Sequence, residues 1–156
     1  MSDGNGRPPE ATLELERFLP YRLSVLSNRV SQAIADLYAE RFGIGTTQWR
    51  VIAVLGRFPG LSANEVAERT AMDKVAVSRA VASLLDKGLL QREVHASDRR
   101  RSVLDLSRTG RRMHARIAPL ALEIERSLLA GLGARERAQL HALLDKLGQG
   151  VSRLGG

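Results

Sequence analysis

The pattern of apolar and polar positions predicts a mainly helical chain that carries one short β-hairpin. Apolar residues recur at helical spacing in six segments, and the spacing changes to strand-like alternation only between 89 and 106. Pro20 fits the first turn of the first long helix, and Gly43 and Gly45 end it. The hairpin therefore interrupts a succession of helices, with four before it and two after it.

The segment 61–110 has the most distinctive order of elements. Ser62 begins a helix as the first residue of an S-x-x-E capping box, and Asp73 is a suitable N-cap for the next helix. Gly88 ends that second helix at the position where glycine is favoured. Two short strands follow, joined by an arginine-rich loop. Helix, turn, helix and hairpin in this order predict a winged helix-turn-helix, which inserts its second helix into the DNA major groove.

The second helix of this unit has two chemically different faces. Val77, Ala80, Val81 and Leu84 follow the i, i+3, i+4, i+7 spacing of a buried stripe. Most other positions are small or carry hydrogen-bond donors, which suits a helix that approaches a groove closely. An amphipathic helix with a solvated polar face is the alternative interpretation. The residues of this helix that we predict to contact DNA are Lys74, Val75, Ala76, Ser78, Arg79 and Ser83.

The loop between the two strands carries an acid followed by three arginines, Asp98, Arg99, Arg100 and Arg101. Adjacent arginines repel one another unless an anion neutralises them, and arginine is the side chain that enters a narrow minor groove. We predict that Arg100 enters the minor groove and that Asp98 orients it through a bidentate pair. Arg99 and Arg101 are predicted to contact phosphates. A solvated charge run at a loop tip is the alternative.

Charge and composition favour a polyanionic partner. The chain of 156 residues has a net charge of +7 and a sequence pI of about 10.9. Seven arginines and one acidic residue lie between 99 and 116, so positive charge is concentrated on the hairpin and the helix that follows. The apolar content of 44% argues against wholesale disorder. These features fit a folded protein that binds nucleic acid.

The sequence contains no constellation typical of an enzyme. It has no cysteine, which excludes disulfides and thiolate metal sites, and His95, His114 and His141 are far apart. A glycine-rich phosphate loop is also absent, so we predict no catalytic site, metal or cofactor. No apolar run approaches the roughly 18 residues of a membrane span, and no signal-peptide core is present. The predicted location is the cytoplasm, without membrane association.

These elements divide the chain into a tail, a lobe and flanking helices. Residues 1–12 are rich in glycine, proline and polar residues, which predicts a disordered tail, and 46–108 form the winged helix-turn-helix lobe. The flanking segments 13–45 and 109–150 carry more leucine than one small lobe can cover. We therefore predict that they interleave with a second copy in a two-fold dimer. Its recognition helices would lie about 34 Å apart on an inverted-repeat operator. A monomer with a helical cap is the alternative.

An ordered set of motifs resembles the multiple-antibiotic-resistance regulator (MarR) family of bacterial transcription factors. The resemblance covers about residues 20–148, and no single motif in it is decisive. The matching segments are TQWR (47–50), LSANEVA (61–67), VSR (77–79), LLDKGL (84–89), DRR (98–100) and LSRTG (106–110).

The resemblance implies a homodimeric repressor that binds a pseudo-palindromic operator in double-stranded DNA and is released by a small molecule. Such proteins often bind an anionic aromatic effector between the dimerisation helices and the DNA-binding lobe. The effector-binding candidates here are Tyr21, Arg22, Trp49 and Arg50, since an aromatic ring beside arginine suits a carboxylate. Core packing of Trp49 and pairing of Arg50 with an acid are the alternatives.

Two other kinds of macromolecular partner compete with DNA. A winged helix can serve as a protein-interaction module, for which an apolar or acidic recognition face and a wing without arginines are expected. An RNA-binding protein needs exposed aromatic rings for base stacking, and this chain has six aromatic residues in all. The small, basic recognition face favours double-stranded DNA over both.

Overall fold

The computed structural model describes residues 10–94 and 102–155, with the backbone alone described at Val94. Within these residues it contains six helices and a two-stranded antiparallel hairpin, which confirms the predicted fold class. The chain divides between Thr46 and Thr47 into two compact units. The elements are α1 (Leu19–Phe42), α2 (Thr46–Arg57), α3 (Ala63–Thr70), α4 (Lys74–Asp86), β1 (Leu90–Val94), β2 (Ser102–Leu106), α5 (Arg108–Leu128) and α6 (Ala134–Val151).

The first unit is built on the long helix α1. Pro20 lies in its first turn. Proline has no backbone N–H, and in the first turn that group would have no partner within the helix. Gly43 ends it in the left-handed conformation and donates its N–H to the carbonyl of Ala39 at 3.1 Å. Tyr38 is fully buried and meets the ring of Phe42 edge-on. Burial raises the pKa of the Tyr38 hydroxyl above its ordinary value.

The core of the second unit takes one apolar face from each of its helices from α2 to α5 and from the hairpin. The predicted stripe of α4 is confirmed, because all four of its members are buried. Burial of these faces away from water supplies the main driving force for the fold. Other fully buried side chains of this unit are Val51, Ile52, Leu55, Val66, Leu104 and Ile117.

The two strands of the hairpin pair with each other, and β2 also bonds to the segment just before α3. In its antiparallel register Leu90 faces Leu106 and Arg92 faces Leu104. Leu104 also exchanges backbone contacts with the segment before α3, donating its N–H to the carbonyl of Leu61 at 2.7 Å. Leu104 and Leu106 are both buried on the face turned toward the helices. The stem of the wing is therefore part of the core.

A junction made by Gly88, Leu89, Ser107 and Gly110 joins α4, the hairpin and α5. Gly88 has a φ of 70°, and Leu89 donates its N–H back to Leu84 at 2.9 Å. Ser107 donates its hydroxyl to the Gly88 carbonyl at 2.6 Å and its N–H to the Leu89 carbonyl at 3.0 Å. The same hydroxyl oxygen caps α5 by accepting the N–H of Gly110. Gly110 lies so close to the Leu89 carbonyl that a Cβ would overlap it.

Gly110→Ala should lower the free energy of unfolding by about 3 kcal/mol, because the added methyl meets a backbone oxygen that Ser107 holds in place. Gly148→Ala is the matched control, since a Cβ there in α6 has no neighbour within 4 Å. The control should gain up to about 1 kcal/mol from helix propensity. Urea unfolding at one fixed protein concentration measures both; equal midpoints for Gly110→Ala and the parent would contradict this account of the junction.

Candidate nucleic-acid interface

Helix α4 presents a capped N-terminus and one exposed face. Asp73 is its N-cap, and the Oδ2 atom accepts the N–H of Ala76 at 2.9 Å. Since the apolar stripe is buried, the opposite residues Lys74, Ser78 and Arg79 are exposed. Val75 joins them with 57% of its surface exposed. Four of the six residues that the sequence predicts as DNA contacts on this helix therefore share a solvent-facing surface.

This surface continues into the first turn of α3. Lys74, Val75, Ser78 and Arg79 line one shallow groove of about 350 Å³ together with Ala63 and Asn64. Ala63 and Asn64 are not among the DNA contacts predicted from the sequence. The signal was present, because Asn64 lies two residues after the N-cap Ser62, where backbone N–H groups are unpaired within the helix and attract anions. A helix N-terminus, a lysine and an arginine thus border the same groove.

Ser83 has a different environment from the other predicted contacts. It is half-buried, and its hydroxyl accepts a hydrogen bond from Nε2 of Gln48 in α2 at 2.8 Å. Ala76 is also half-buried, and its backbone N–H is used in the N-cap of the helix. The structure therefore separates Ser83 from the groove-lining set and brings it to a residue that the sequence analysis did not single out as functional.

The predicted wing residues Asp98, Arg99, Arg100 and Arg101 lie outside the described residues. The strands that lead to them are described as far as the Val94–Ser102 pair. On this stem Arg92 donates to the hydroxyl of Ser102 at 3.0 Å. Asp105 forms a salt bridge of 3.0 Å with Arg111 of α5, which ties the second strand to the following helix.

The four effector candidates are divided between the two units. Tyr21 and Arg22 are exposed near the start of α1 in the first unit. Trp49 is half-buried in α2, and its ring lies over His114 of α5 with centroids 5.8 Å apart. Arg50, also half-buried, approaches the sulfur of Met72 at 3.8 Å.

His114 of α5 is a half-buried partner of Trp49. It also touches the backbone of α2. A Cβ on Gly56 would come within 2.6 Å of the imidazole Nε2 atom, so the absence of a side chain there makes room for the ring. Through His114, Trp49 and Gly56 fix the packing of α5 on α2.

The same family appears in comparisons of sequence and of structure. The MarR family model matches residues 42–101. A MarR/EmrR family transcriptional regulator from Acinetobacter sp. ADP1 superimposes with a TM-score of 0.85 at 30% identity, over 90% of this chain and 99% of that one. The chain belongs to the MarR family. The HTH-type transcriptional regulator BilQ of Clostridium symbiosum is also 30% identical, over 74% of this chain and 78% of its own.

Two further solved structures show MarR-like folds with bound partners. The S. aureus MepR–DNA complex aligns with a TM-score of 0.75 at 27% identity, over 85% of this chain and 98% of that one. The PcaV regulator of Streptomyces coelicolor, in complex with its natural ligand, aligns with a TM-score of 0.70 at 28% identity, over 89% and 97%. Family membership confirms the prediction of a DNA-binding transcriptional regulator rather than an enzyme.

The described part of this MarR-family chain shows neither a metal-binding cluster nor a membrane-spanning helix. Among residues 10–94 and 102–155, no group of three histidine, aspartate or glutamate side chains is arranged to hold a metal ion. None of the helices described there is long and apolar enough to cross a membrane.

Asp73→Ala should destabilise this MarR-family protein by about 1 kcal/mol, because the first turn of α4 loses its side-chain acceptor. Asp73→Asn should lose much less, since asparagine is also a good N-cap. Asp145→Ala, at an exposed position of α6, provides the control. Urea denaturation followed by circular dichroism separates these variants, and an alanine variant as stable as the asparagine variant would exclude a capping role.

Proposed function

We propose that this MarR-family regulator is a homodimeric, sequence-specific repressor whose α4 reads the DNA major groove. The observation that carries the proposal is the exposed face of α4, where Lys74, Ser78 and Arg79 lie opposite a fully buried stripe. Charged and hydroxyl donors on a helix of small residues suit base edges and phosphates. The similar MepR protein forms a complex with DNA, which supports DNA as the partner of this chain.

The groove-lining residues divide by chemistry into base-reading and phosphate-binding groups. Arg79 suits the O6 and N7 acceptors of guanine, and the exposed methyl groups of Val75 suit the methyl of thymine. Lys74 and the first turn of α3, with Asn64, suit a phosphate at the edge of the groove. The Ser78 hydroxyl can donate either to a base edge or to a phosphate. This division places sequence discrimination on α4 and positioning on the residues around it.

The proposed wing contact completes the footprint on each half-site. Arg100 enters the minor groove and Asp98 orients its guanidinium, while Arg99 and Arg101 bind phosphates. The stem supports this role, because Leu104 and Leu106 anchor it in the core and Arg111 holds Asp105. A rigid stem limits the directions in which the loop can reach DNA.

The dimer is proposed from apolar side chains that remain exposed in one protomer. They lie on α1, α5 and α6, the helices of the predicted dimerisation segments. Several exposed leucines on the helices that flank the winged helix-turn-helix are typical of a protein interface. A two-fold interface would set two α4 helices about one DNA turn, roughly 34 Å, apart on an inverted repeat. The exposed residues are Leu23, Leu26, Leu122, Leu128, Leu143, Leu144 and Leu147.

Release of the DNA is proposed to follow binding of a small aromatic carboxylate. Tyr21 with Arg22 in the first unit, and Trp49 with Arg50 in the second, each offer a ring and a guanidinium group, which suit the ring and the carboxylate of such a ligand. The ligand-bound PcaV structure supports an effector of some kind. An effector acts by binding one spacing of the two α4 helices more tightly than another.

Arg79→Ala and Arg100→Ala should each weaken binding to DNA from upstream of the gene by about 1–3 kcal/mol. Arg79→Ala should also relax the preference for one base pair, because a base contact and not only a phosphate contact is lost. Fluorescence anisotropy with the upstream duplex and its single-base variants measures both effects.

Arg135→Ala is the control for these variants, since it removes the same charge from an exposed position in the first turn of α6. Parent-like binding by Arg79→Ala would overturn the role of α4. Equal losses for Arg135→Ala and the two test variants would reduce the interface to general electrostatics and favour a protein-interaction module.

An aromatic carboxylate should raise the melting temperature and weaken DNA binding by about 5- to 150-fold, the usual range of allosteric coupling. A panel of benzoates, cinnamates and phenols tests this, with the neutral benzyl alcohol as a matched control for the carboxylate. Trp49 is the only tryptophan, so its fluorescence reports binding at the proposed site. If no compound changes either the melting temperature or the DNA affinity, the carboxylate proposal is wrong.

A further inference from the structure

Three consecutive residues of α2 contact three different parts of the second unit. Gln48 donates to the hydroxyl of Ser83 in α4 at 2.8 Å. The ring of Trp49 lies over His114 of α5. Nη1 of Arg50 approaches the sulfur of Met72, immediately before the N-cap of α4, at 3.8 Å. The first turn of α2 thus contacts α4 near its C-terminal end and the chain just before its N-terminal end.

The apolar packing of α4 is less directional than a hydrogen bond to it. Its buried stripe consists of Val77, Ala80, Val81 and Leu84, and apolar contacts have no strict directional requirement. A hydrogen bond has one, because it weakens steeply as the donor angle departs from linear. The Gln48–Ser83 bond joins residues 35 apart in sequence and is partly shielded from water. It is therefore suited to adding a directional constraint on the rotation of α4 to the one that packing supplies.

The position of Ser83 makes such a constraint relevant to base reading. Ser83 follows Arg79 by four residues, so it lies about one helical turn from Arg79. A small rotation of α4 about its axis would carry the long side chain of Arg79 through a larger arc. Bidentate contact with a base tolerates little displacement, whereas a phosphate can be reached from many directions.

We propose that Gln48 and Ser83 are positioning residues that set the rotation of α4 and thereby the discrimination between DNA sequences. Ser83 does this from within the protein, without touching DNA. The inference rests on the proposed function, since it assigns a role in sequence-specific binding. It makes specificity depend on a residue of α2 that lies outside the groove.

The test compares Ser83→Ala, Gln48→Met and the double variant on two duplexes, the upstream DNA and a random sequence of equal length. Methionine keeps the length of glutamine but removes the donor. Each single variant should lose about fivefold in affinity for the upstream duplex, the scale of one neutral hydrogen bond. The random duplex should be bound as by the parent. The double variant should lose no more than either single variant, because both remove the same bond.

Matched controls are Ser127→Ala and Gln139→Met at exposed positions of α5 and α6. Gln48→Glu gives a conservative rescue, since its carboxylate can accept a hydrogen bond from the Ser83 hydroxyl. It should keep at least half of the parent's preference for the upstream duplex. Melting temperatures identify any variant that fails to fold; if Gln48→Met does, Ser83→Ala and Gln48→Glu still decide the question.

Each contrary result has a distinct meaning. A loss for Ser83→Ala without one for Gln48→Met would mean that Ser83 contacts DNA directly, and additive losses would mean that the two residues act separately. Equal losses on both duplexes would mean a structural role only. Each of these overturns the positioning role while leaving the proposed regulator intact. A parent that does not prefer the upstream duplex would overturn both.

Discussion

The fold of the DNA-binding lobe depends on the close contact of Gly110 with the carbonyl of Leu89. This contact brings the start of α5 to the point where α4 ends and the hairpin begins. Ser107 completes it by bonding both Gly88 and Leu89. Helix α4, the hairpin and α5 therefore share one short segment of backbone. A displacement of α5 would therefore be transmitted to α4 and to the hairpin, and the proposed effector control requires such a connection.

Helix α2 is a second element that fixes the position of α4, beside the junction at Gly88 and Gly110. Its buried face fills the core, while its first turn holds α4 and α5 through polar and aromatic contacts. The exposed face of α4 is thus set from two sides, by the junction at its C-terminal end and by α2 behind it. Neither the junction nor α2 needs to touch DNA for this effect. We infer that the precision of the reading surface is determined largely by residues outside it.

The sequence predicted those features that depend on local chemistry. Asp73 and Gly88 were recognised as cap and stop, and the stripe of α4 was recognised from its spacing, because each depends on residues within one or two turns. The helical pattern places Ser83 on the outer face of α4, but it cannot show which neighbour in another helix that side chain meets. Gln48, 35 residues away, supplies that neighbour. The cap at Ser62 marks Asn64 as a first-turn residue of α3, but its proximity to Lys74 and Arg79 arises from the packing of α3 on α4, which the sequence pattern does not show.

The central claim is that this surface reads a DNA sequence and does not only attract phosphates. Fluorescence anisotropy of the parent protein on its own upstream duplex and on a random duplex, at several salt concentrations, tests it most directly. The account predicts a preference of about 10³-fold or more for the upstream duplex and a steep loss of affinity with salt. Equally weak, salt-sensitive binding to both duplexes would contradict it and leave the basic surface with an electrostatic role alone.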